Sequence, residues 1–210
     1  MELLNRRREM GSHLPYDYEV EYLESTGTQY IDTEINASST LLTTVVFSVD
    51  TNFNFYNHAW VFGAYIHPYS VKYCASLISN TQLRVPYSNS DFMNINVGTT
   101  IQYNKKYTLS YKFGAIYFNG NLIGTQSGVA TEPLSIYLFG RNDARQGYQI
   151  LTPLLKIHST QMVDNGLIRD YIPVVKDNIG YMYDKISGRL FGNAGTGQFI
   201  VGPRITSGGG

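Results

Sequence analysis

Two stretches of this 210-residue chain alternate apolar and polar side chains with a period of two. Residues 41–49 put Leu41, Thr43, Val45, Phe47 and Val49 on one side, and residues 107–113 set Tyr107, Leu109, Tyr111 and Phe113 against Thr108, Ser110 and Lys112. Successive side chains of a strand point to opposite faces, so this period calls for half-buried antiparallel sheet and not for an amphipathic helix. Further strands are predicted at 60–66, 72–78, 82–85, 116–118, 134–139, 154–158, 180–184 and 198–201. Asn119-Gly120 is the strongest hairpin signal, because a type I′ turn needs positive φ at both centres. Asp164-Asn165-Gly166 and Ser187-Gly188 read as the same device. So many short strands with hardly a helical period predict an all-β, two-sheet sandwich over residues 14–203, in one domain. A short basic arm, residues 1–13, precedes it, and a Gly-rich flexible tail, residues 204–210, follows.

Charge says little about partners. The 16 basic and 16 acidic residues cancel, and charged residues make up 15% of the chain, against about 25% in an average domain. A general affinity for nucleic acid or an acidic membrane is therefore not expected. The 18 tyrosines and 20 glycines, with many Asn, Thr and Ser, describe a β-rich surface with many turns. Cys74 stands alone, which excludes an internal disulfide framework; beside Val71, Tyr73 and Ala75 it reads as a core or half-buried thiol on a strand. MELLNRRREMGSH is positively charged with no apolar segment after it, so it does not read as a signal peptide. No apolar run approaches the ~20 residues needed to span a bilayer. The expectation is a protein made in a cytoplasm yet composed like one that faces outward. A virus particle assembled inside a bacterium and released by lysis meets both conditions.

Residues 19–24, EVEYLE, match the E-x-D-x-x-E motif of laminarinases and lichenases except for Glu in place of Asp. Alternation turns Tyr18, Val20 and Tyr22 inward and Glu19 and Glu21 outward on an edge strand. A retaining glycosidase needs two acids ~5–5.5 Å apart, one kept protonated in an enclosed site. An outward row beside an exposed arm supplies neither, so no catalytic residue is assigned. His13, His58, His67 and His158 lack the spacing of a zinc helix, and no G-x-S-x-G elbow occurs. GNAGTG at 192–197 imitates a phosphate loop but lacks the following Lys and leads into QFIV, so its glycines read as a tight turn before a strand. NFNFYNHAWVFGAYIHPY gathers Phe53, Phe55, Tyr56, Trp60, Tyr65 and Tyr69 around His58, His67 and several Asn. Aromatic faces with amide partners suit the apolar faces and hydroxyl edges of sugars. Trp60, between Ala59 and Val61, reads as core; Tyr56, His58, His67 and Tyr69 are the candidate glycan-binding residues.

The opening EYLESTGTQYIDTEI, the central YTLSYKFGAIYFNGNLIGT and the closing LLKIHSTQMVDNGLIRDYIPVVKDNIGYMYDKISGRLFGNAGTGQF resemble the concanavalin A-like, laminin-G-like lectin domains of gut bacteria and their phages, over about residues 18–202. The resemblance implies a jelly-roll sandwich of two curved antiparallel sheets and a role in adhesion or glycan binding. It also implies that EVEYLE is the opening strand of a non-catalytic domain. Laminin-G-like domains often hold calcium at a rim, and Asp91, Asp143, Asp164 and Asp170 are available oxygens, though none has the dense spacing of a loop that binds the ion alone. No other cofactor is expected. MELLNRRREM resembles the starts of virion proteins of phages of gut Bacteroidales. The expected function is thus a non-enzymatic phage virion surface protein: a head fibre, capsid decoration or tail adhesin that touches host or mucosal glycans. Leu3 and Leu4 would anchor the arm by apolar contact, and Arg6, Arg7 and Arg8 would bind carboxylates on capsid, portal-proximal or tail proteins. A homo-oligomer, a trimer by preference, is expected. The alternatives are a glycoside hydrolase using Glu19, Glu21 and Glu24, and a bacterial cell-surface adhesin.

Overall fold

The inward residues of the two alternating stretches meet across a ladder: Thr43 faces Tyr111, Val45 faces Leu109 and Phe47 faces Tyr107. All six are buried. The computed structural model describes residues 14–55, 59–66, 71–86, 92–126, 132–143 and 148–206. In chain order its strands are β1 (Tyr18–Glu19), β2 (Leu23–Glu24), β3 (Ile31–Asn36), β4 (Leu42–Val49), β5 (Ala59–Ile66), β6 (Val71–Ser79), β7 (Gln82–Pro86), β8 (Phe92–Asn96), β9 (Tyr107–Lys112) and β10 (Ala115–Phe118). They continue with β11 (Asn121–Gly124), β12 (Ser135–Leu138), β13 (Gly140–Asp143), β14 (Tyr148–Leu151), β15 (Leu155–Val163), β16 (Leu167–Lys176), β17 (Ile179–Asp184), β18 (Arg189–Phe191) and β19 (Ile200–Val201). No α-helix occurs among the described residues.

Two sheets result. The larger runs β11-β10-β9-β4-β15-β16-β17-β18, with β1, β2 and β19 attached beside β15 and β16. The smaller runs β14-β13-β5-β6-β7-β8, with β12 and β3 branching from β5. Every pairing is antiparallel except β13 with β5. The chain is an all-β sandwich. Asn119 and Gly120 both take positive φ, 49° and 79°, as the I′ turn requires. Asn165 and Gly166 turn β15 into β16 the same way, with Asp177-Asn178 doing so between β16 and β17.

Tyrosine departs from the surface role its abundance suggested. Tyr73, Tyr107, Tyr111 and Tyr171 are among the largest fully buried side chains. Each ring fills core volume while its hydroxyl finds a hydrogen-bond partner. From β6 of the smaller sheet, the Tyr73 hydroxyl donates to the carbonyls of Tyr111 (2.9 Å) and Leu41 (3.0 Å) on the larger-sheet side. From β16 of the larger sheet, Tyr171 donates to the Thr33 carbonyl on β3 (3.1 Å). Burial raises the pKa of both phenols, so they remain protonated donors at any working pH.

The N-terminal strand also differs from expectation. EVEYLE is not one alternating edge strand. β1 pairs with β16, whereas β2 pairs with β15 on one side and β19 on the other, so the chain bends at residues 20–22. It occupies the gap where β15 and β16 part beyond Thr160 and Tyr171. Pro173 has no N–H to give, but its carbonyl accepts from Val20 N at 3.0 Å, so a proline inside a long strand is tolerated at this fork. The C-terminal segment runs alongside as far as Ile205, whose N–H donates to Glu19 O, two residues past the expected end of the sandwich. Gly192–Gly197 makes the turn read from its glycines. Asn193 Oδ1 accepts from Tyr30 N (3.2 Å) and Gly195 N (2.8 Å), and a Cβ on Gly195 would strike the Thr28 carbonyl. The two glycine-containing blocks, STGTQY and GNAGTG, are therefore the two halves of one clasp.

Tyr73→Phe keeps the ring and strands two buried carbonyls. It is expected to lower unfolding free energy by about 1–3 kcal/mol without changing the urea m-value, while Tyr103→Phe, at an exposed ring, changes nothing. Equal stability of both variants would show that the inter-sheet bonds contribute little.

Candidate functional site

Several aromatic and charged residues outside the inter-sheet core gather on the outer face of the smaller sheet. Leu77, Leu83 and Ile95 form one cross-strand row that faces the core. Their neighbours Ser76, Arg84 and Asn94 form the opposite row, which continues on β5 to Trp60. This row, Trp60-Ser76-Arg84-Asn94, crosses four strands and passes from buried to exposed. Trp60 is 3% exposed and Ser76 fully buried; Arg84 is half-buried and Asn94 exposed.

Further rings and charges lie against the buried end. The Arg141 guanidinium sits between two aromatic faces, 4.5 Å from the Trp60 ring centre and 4.3 Å from that of Tyr65. It is also paired with Asp143, and both residues are buried. Phe92 lies 5.8 Å from both Trp60 and Tyr65, under the Arg84 guanidinium at 5.1 Å. Guanidinium over an aromatic face is attractive, and more so when desolvated. Gly63 makes the arrangement fit, because a Cβ there would come 2.6 Å from Cys74 Cβ and 3.0 Å from Arg141 Cγ. Cys74 is buried, as read from its neighbours. Trp60 is buried too, but on the outer face and not in the inter-sheet core.

Strand directions add a second convergence. β5, β7 and β13 run the same way, since β7 and β5 are both antiparallel to β6 and β13 is parallel to β5. Their C-terminal ends, and the starts of β6, β8 and β14, thus lie at one end of the sheet, where Tyr65, Phe92 and Asp143 also sit. The sequence candidates Tyr56, His58, His67 and Tyr69 lie outside the described residues, as do Leu3, Leu4, Arg6, Arg7 and Arg8. Arg141 was missed, and Asp143 was read only as an available oxygen for calcium, because GRND reads as a turn: none of its residues favours a strand.

The acidic motif divides among three surroundings. Glu19 accepts from the Tyr16 hydroxyl at 2.9 Å, and exposed Glu21 stands 3.9 Å from Lys106. Glu24, which shares the parity of Val20 and Tyr22, is buried and faces Lys156 at 3.6 Å. Lys156 also binds Asp50 (2.9 Å) and Asn104 (2.8 Å). Burial raises the Glu24 pKa against the pull of Lys156, whereas the bond from Lys156 lowers that of Asp50. The four calcium candidates are no closer to a site: Asp91 lies outside the described residues, Asp143 holds Arg141, Asp164 accepts from Ser38 and Thr40, and Asp170 pairs with Lys185. Among the described residues no group of three acidic, His or Cys side chains could hold a metal ion.

A cleft of about 280 Å³ opens beside Glu19 and Glu21, lined also by Lys106, His158, Pro173 and Ile205. His158 Nδ1 lies 2.7 Å from the Glu21 carbonyl, which only accepts, so Nδ1 carries the proton and Nε2 accepts from Ser48 Oγ at 2.9 Å. The bond resembles that of a nucleophile and its base, but Ser48 is buried and does not line the cleft. The contact ties the N-terminal segment to β4 and β15. The chain matches no protein-family model, and no curated protein matches it.

Burial, then the charge of Lys106, pushes the His158 pKa down to about 4. The folded state therefore binds fewer protons than the unfolded state between pH 6.5 and 4. Its contribution is complete above pH 6.5 and is lost as pH falls to about 4, a loss of roughly 1–2 kcal/mol after allowance for the partly exposed ring. Thermal unfolding across this window should show that slope in the native chain and a flatter one in His158→Gln. Identical slopes would assign the acid sensitivity to other groups.

Proposed function

We propose that this chain is a non-enzymatic surface protein of a phage virion, a head fibre, capsid decoration or tail adhesin, whose concanavalin A-like jelly roll attaches to host or mucosal glycans. The observation that carries the reading is the Trp60-Ser76-Arg84-Asn94 row with Tyr65, Phe92, Arg141 and Asp143 beside it. Aromatic faces offer a sugar its apolar contact, and side chains of mixed donor and acceptor character offer partners for hydroxyl groups. Strand ends converging at one edge of a rigid sandwich favour binding at that end, since loops on a fixed scaffold commonly carry recognition. The hydrolase alternative has less support, because Glu19, Glu21 and Glu24 are each engaged by a different partner. Attachment to the particle falls to the basic arm, residues 1–13, by way of Leu3, Leu4, Arg6, Arg7 and Arg8. Among the described residues the first ladder bond runs from Asp17 N–H to Val175 O.

Antibody labelling of purified particles in the electron microscope tests the location. Label is expected on intact particles, and particles assembled with a chain lacking residues 2–12 should lose it although the truncated protein melts at the same temperature. Unlabelled native particles would sink the virion reading; normal incorporation of the truncated chain would move attachment onto the sandwich.

A further inference from the structure

Seven buried side-chain polar atoms among the described residues have no hydrogen-bond partner, and four of them, Trp60 Nε1, Ser76 Oγ, Arg141 Nε and Asp143 Oδ1, belong to the buried end of the cross-strand row. Buried polar groups in folded proteins are almost always paired, because each one left unpaired costs a sizeable share of a domain's net stability. Four on neighbouring residues of one face call for a partner from outside the chain. Their chemistry describes it. The indole and guanidinium nitrogens can only donate, the carboxylate oxygen can only accept, and the serine hydroxyl does either. The guest must offer at least two lone pairs and one proton, which is the capacity of a hydroxyl group.

Charge narrows the guest further. Asp143 neutralises Arg141, so the buried end carries no net charge with which to draw in a carboxylate, sulfate or phosphate, and the unpartnered carboxylate oxygen opposes any anion. Size narrows it again. Trp60, Ser76, Arg141 and Asp143 are each less than a tenth exposed, so a hydroxyl or hydroxymethyl enters and the ring that bears it stays outside. The half-buried Phe92 face and exposed Asn94 lie farther along the same face, where such a ring would rest.

The geometry points to a subsite for a neutral saccharide, in which one sugar hydroxyl enters the Trp60-Ser76-Arg141-Asp143 cluster and the sugar ring lies against Phe92, with Arg84 and Asn94 at its outer edge. This inference rests on the glycan-attachment reading and adds to it the ligand class and the anchoring atoms. Water also offers two lone pairs and a proton to give, so the test must tell the two apart.

The purified full chain is screened on an array of neutral, sialylated and sulfated oligosaccharides, and the strongest ligand is titrated by calorimetry into the native protein, Trp60→Phe, Ser76→Ala and Asn94→Ala. Trp60→Phe keeps an aromatic body and removes only the indole donor. Neutral ligands are expected to bind. Trp60→Phe and Ser76→Ala should each weaken binding about tenfold or more, and exposed Asn94→Ala a few-fold, the scale of one lost hydrogen bond. Melting temperature should hold in Ser76→Ala and Asn94→Ala, so that a packing defect in Trp60→Phe cannot by itself account for the series. Binding that is unchanged in all three variants would show that the cluster holds only water, overturning the subsite while leaving glycan attachment intact. Preference for sialylated or sulfated ligands would overturn the neutral assignment. A native protein that binds no glycan on the array would remove both the subsite and the attachment reading.

Discussion

The two sheets are held in register by phenol hydroxyls that cross the core. Apolar packing between sheets is non-directional and would tolerate sliding; a hydroxyl committed to one carbonyl does not. Tyr73 binds across from β6 to the Leu41 and Tyr111 carbonyls, and Tyr171 binds from β16 to Thr33 on β3. The rings around them pack edge to face, with Tyr73 at 4.8 Å from Tyr111 and Tyr171 at 5.2 Å from Phe191. Because these contacts sit at separate places in the core, rotation of one sheet over the other would break both. The smaller sheet is thereby fixed on its inner face, and its outer face is left available for other work.

The ends of the chain are tied in with comparable economy of parts. The segments around β2 and β19 pair with each other and fill the fork between β15 and β16. Lys156, at the base of this fork, satisfies Glu24, Asp50 and Asn104 together, with the Tyr22 ring 5.1 Å from its ammonium. A buried charge is tolerated only when its partners replace the lost water. Here the partners come from three separate parts of the sequence, all distant from Lys156, so the ion cluster also fixes which strands may meet. The same acidic residues that imitate a glycosidase motif in the sequence are thus explained by a structural requirement.

Much of this was legible from alternation and turn chemistry. The pairing faces of β4 and β9, the Asn119-Gly120 hairpin and the turn at Gly192–Gly197 follow from local rules that the fold obeys. What escaped has a common physical cause: tertiary partners overrode local preference. β16 contains Pro173, acceptable only because a fork leaves its missing N–H without consequence. β1 and β2 break the alternation of EVEYLE because the chain changes partner strand between them. The core tyrosines could not be told from surface tyrosines by composition; Tyr107 and Tyr111 follow from alternation, whereas Tyr73 and Tyr171 meet carbonyls far away in sequence. The glycan candidates Tyr56, His58, His67 and Tyr69 lie outside the described residues; Trp60 and Tyr65, from the same aromatic segment, reach the outer cluster. The ion pair of Arg141 with Asp143 gave no signal, because GRND becomes a strand only through its pairing with β5 and β14.

That pairing depends on a local strain. β12 runs antiparallel to β5 and β13 runs parallel to it, so the chain must reverse between Leu138 and Gly140. The reversal falls on Phe139, at φ 65°, a conformation that bulky residues adopt rarely and at a cost of about 1–2 kcal/mol. Glycine would take it freely. A phenylalanine persists because its ring packs 4.8 Å from Phe199, its N–H donates to Val61 O and its carbonyl accepts from Thr152 N. The turn delivers Arg141 and Asp143 to the outer face, where Gly63 leaves them room between Trp60 and Tyr65. A strained phenylalanine, a glycine in mid-strand and four unpaired polar atoms each run against the rules that stabilise a sheet. The glycine and the unpaired atoms share the outer patch, whereas the phenylalanine lies in the core and serves the patch by turning two of its residues outward; that conjunction is the reason for proposing a ligand there.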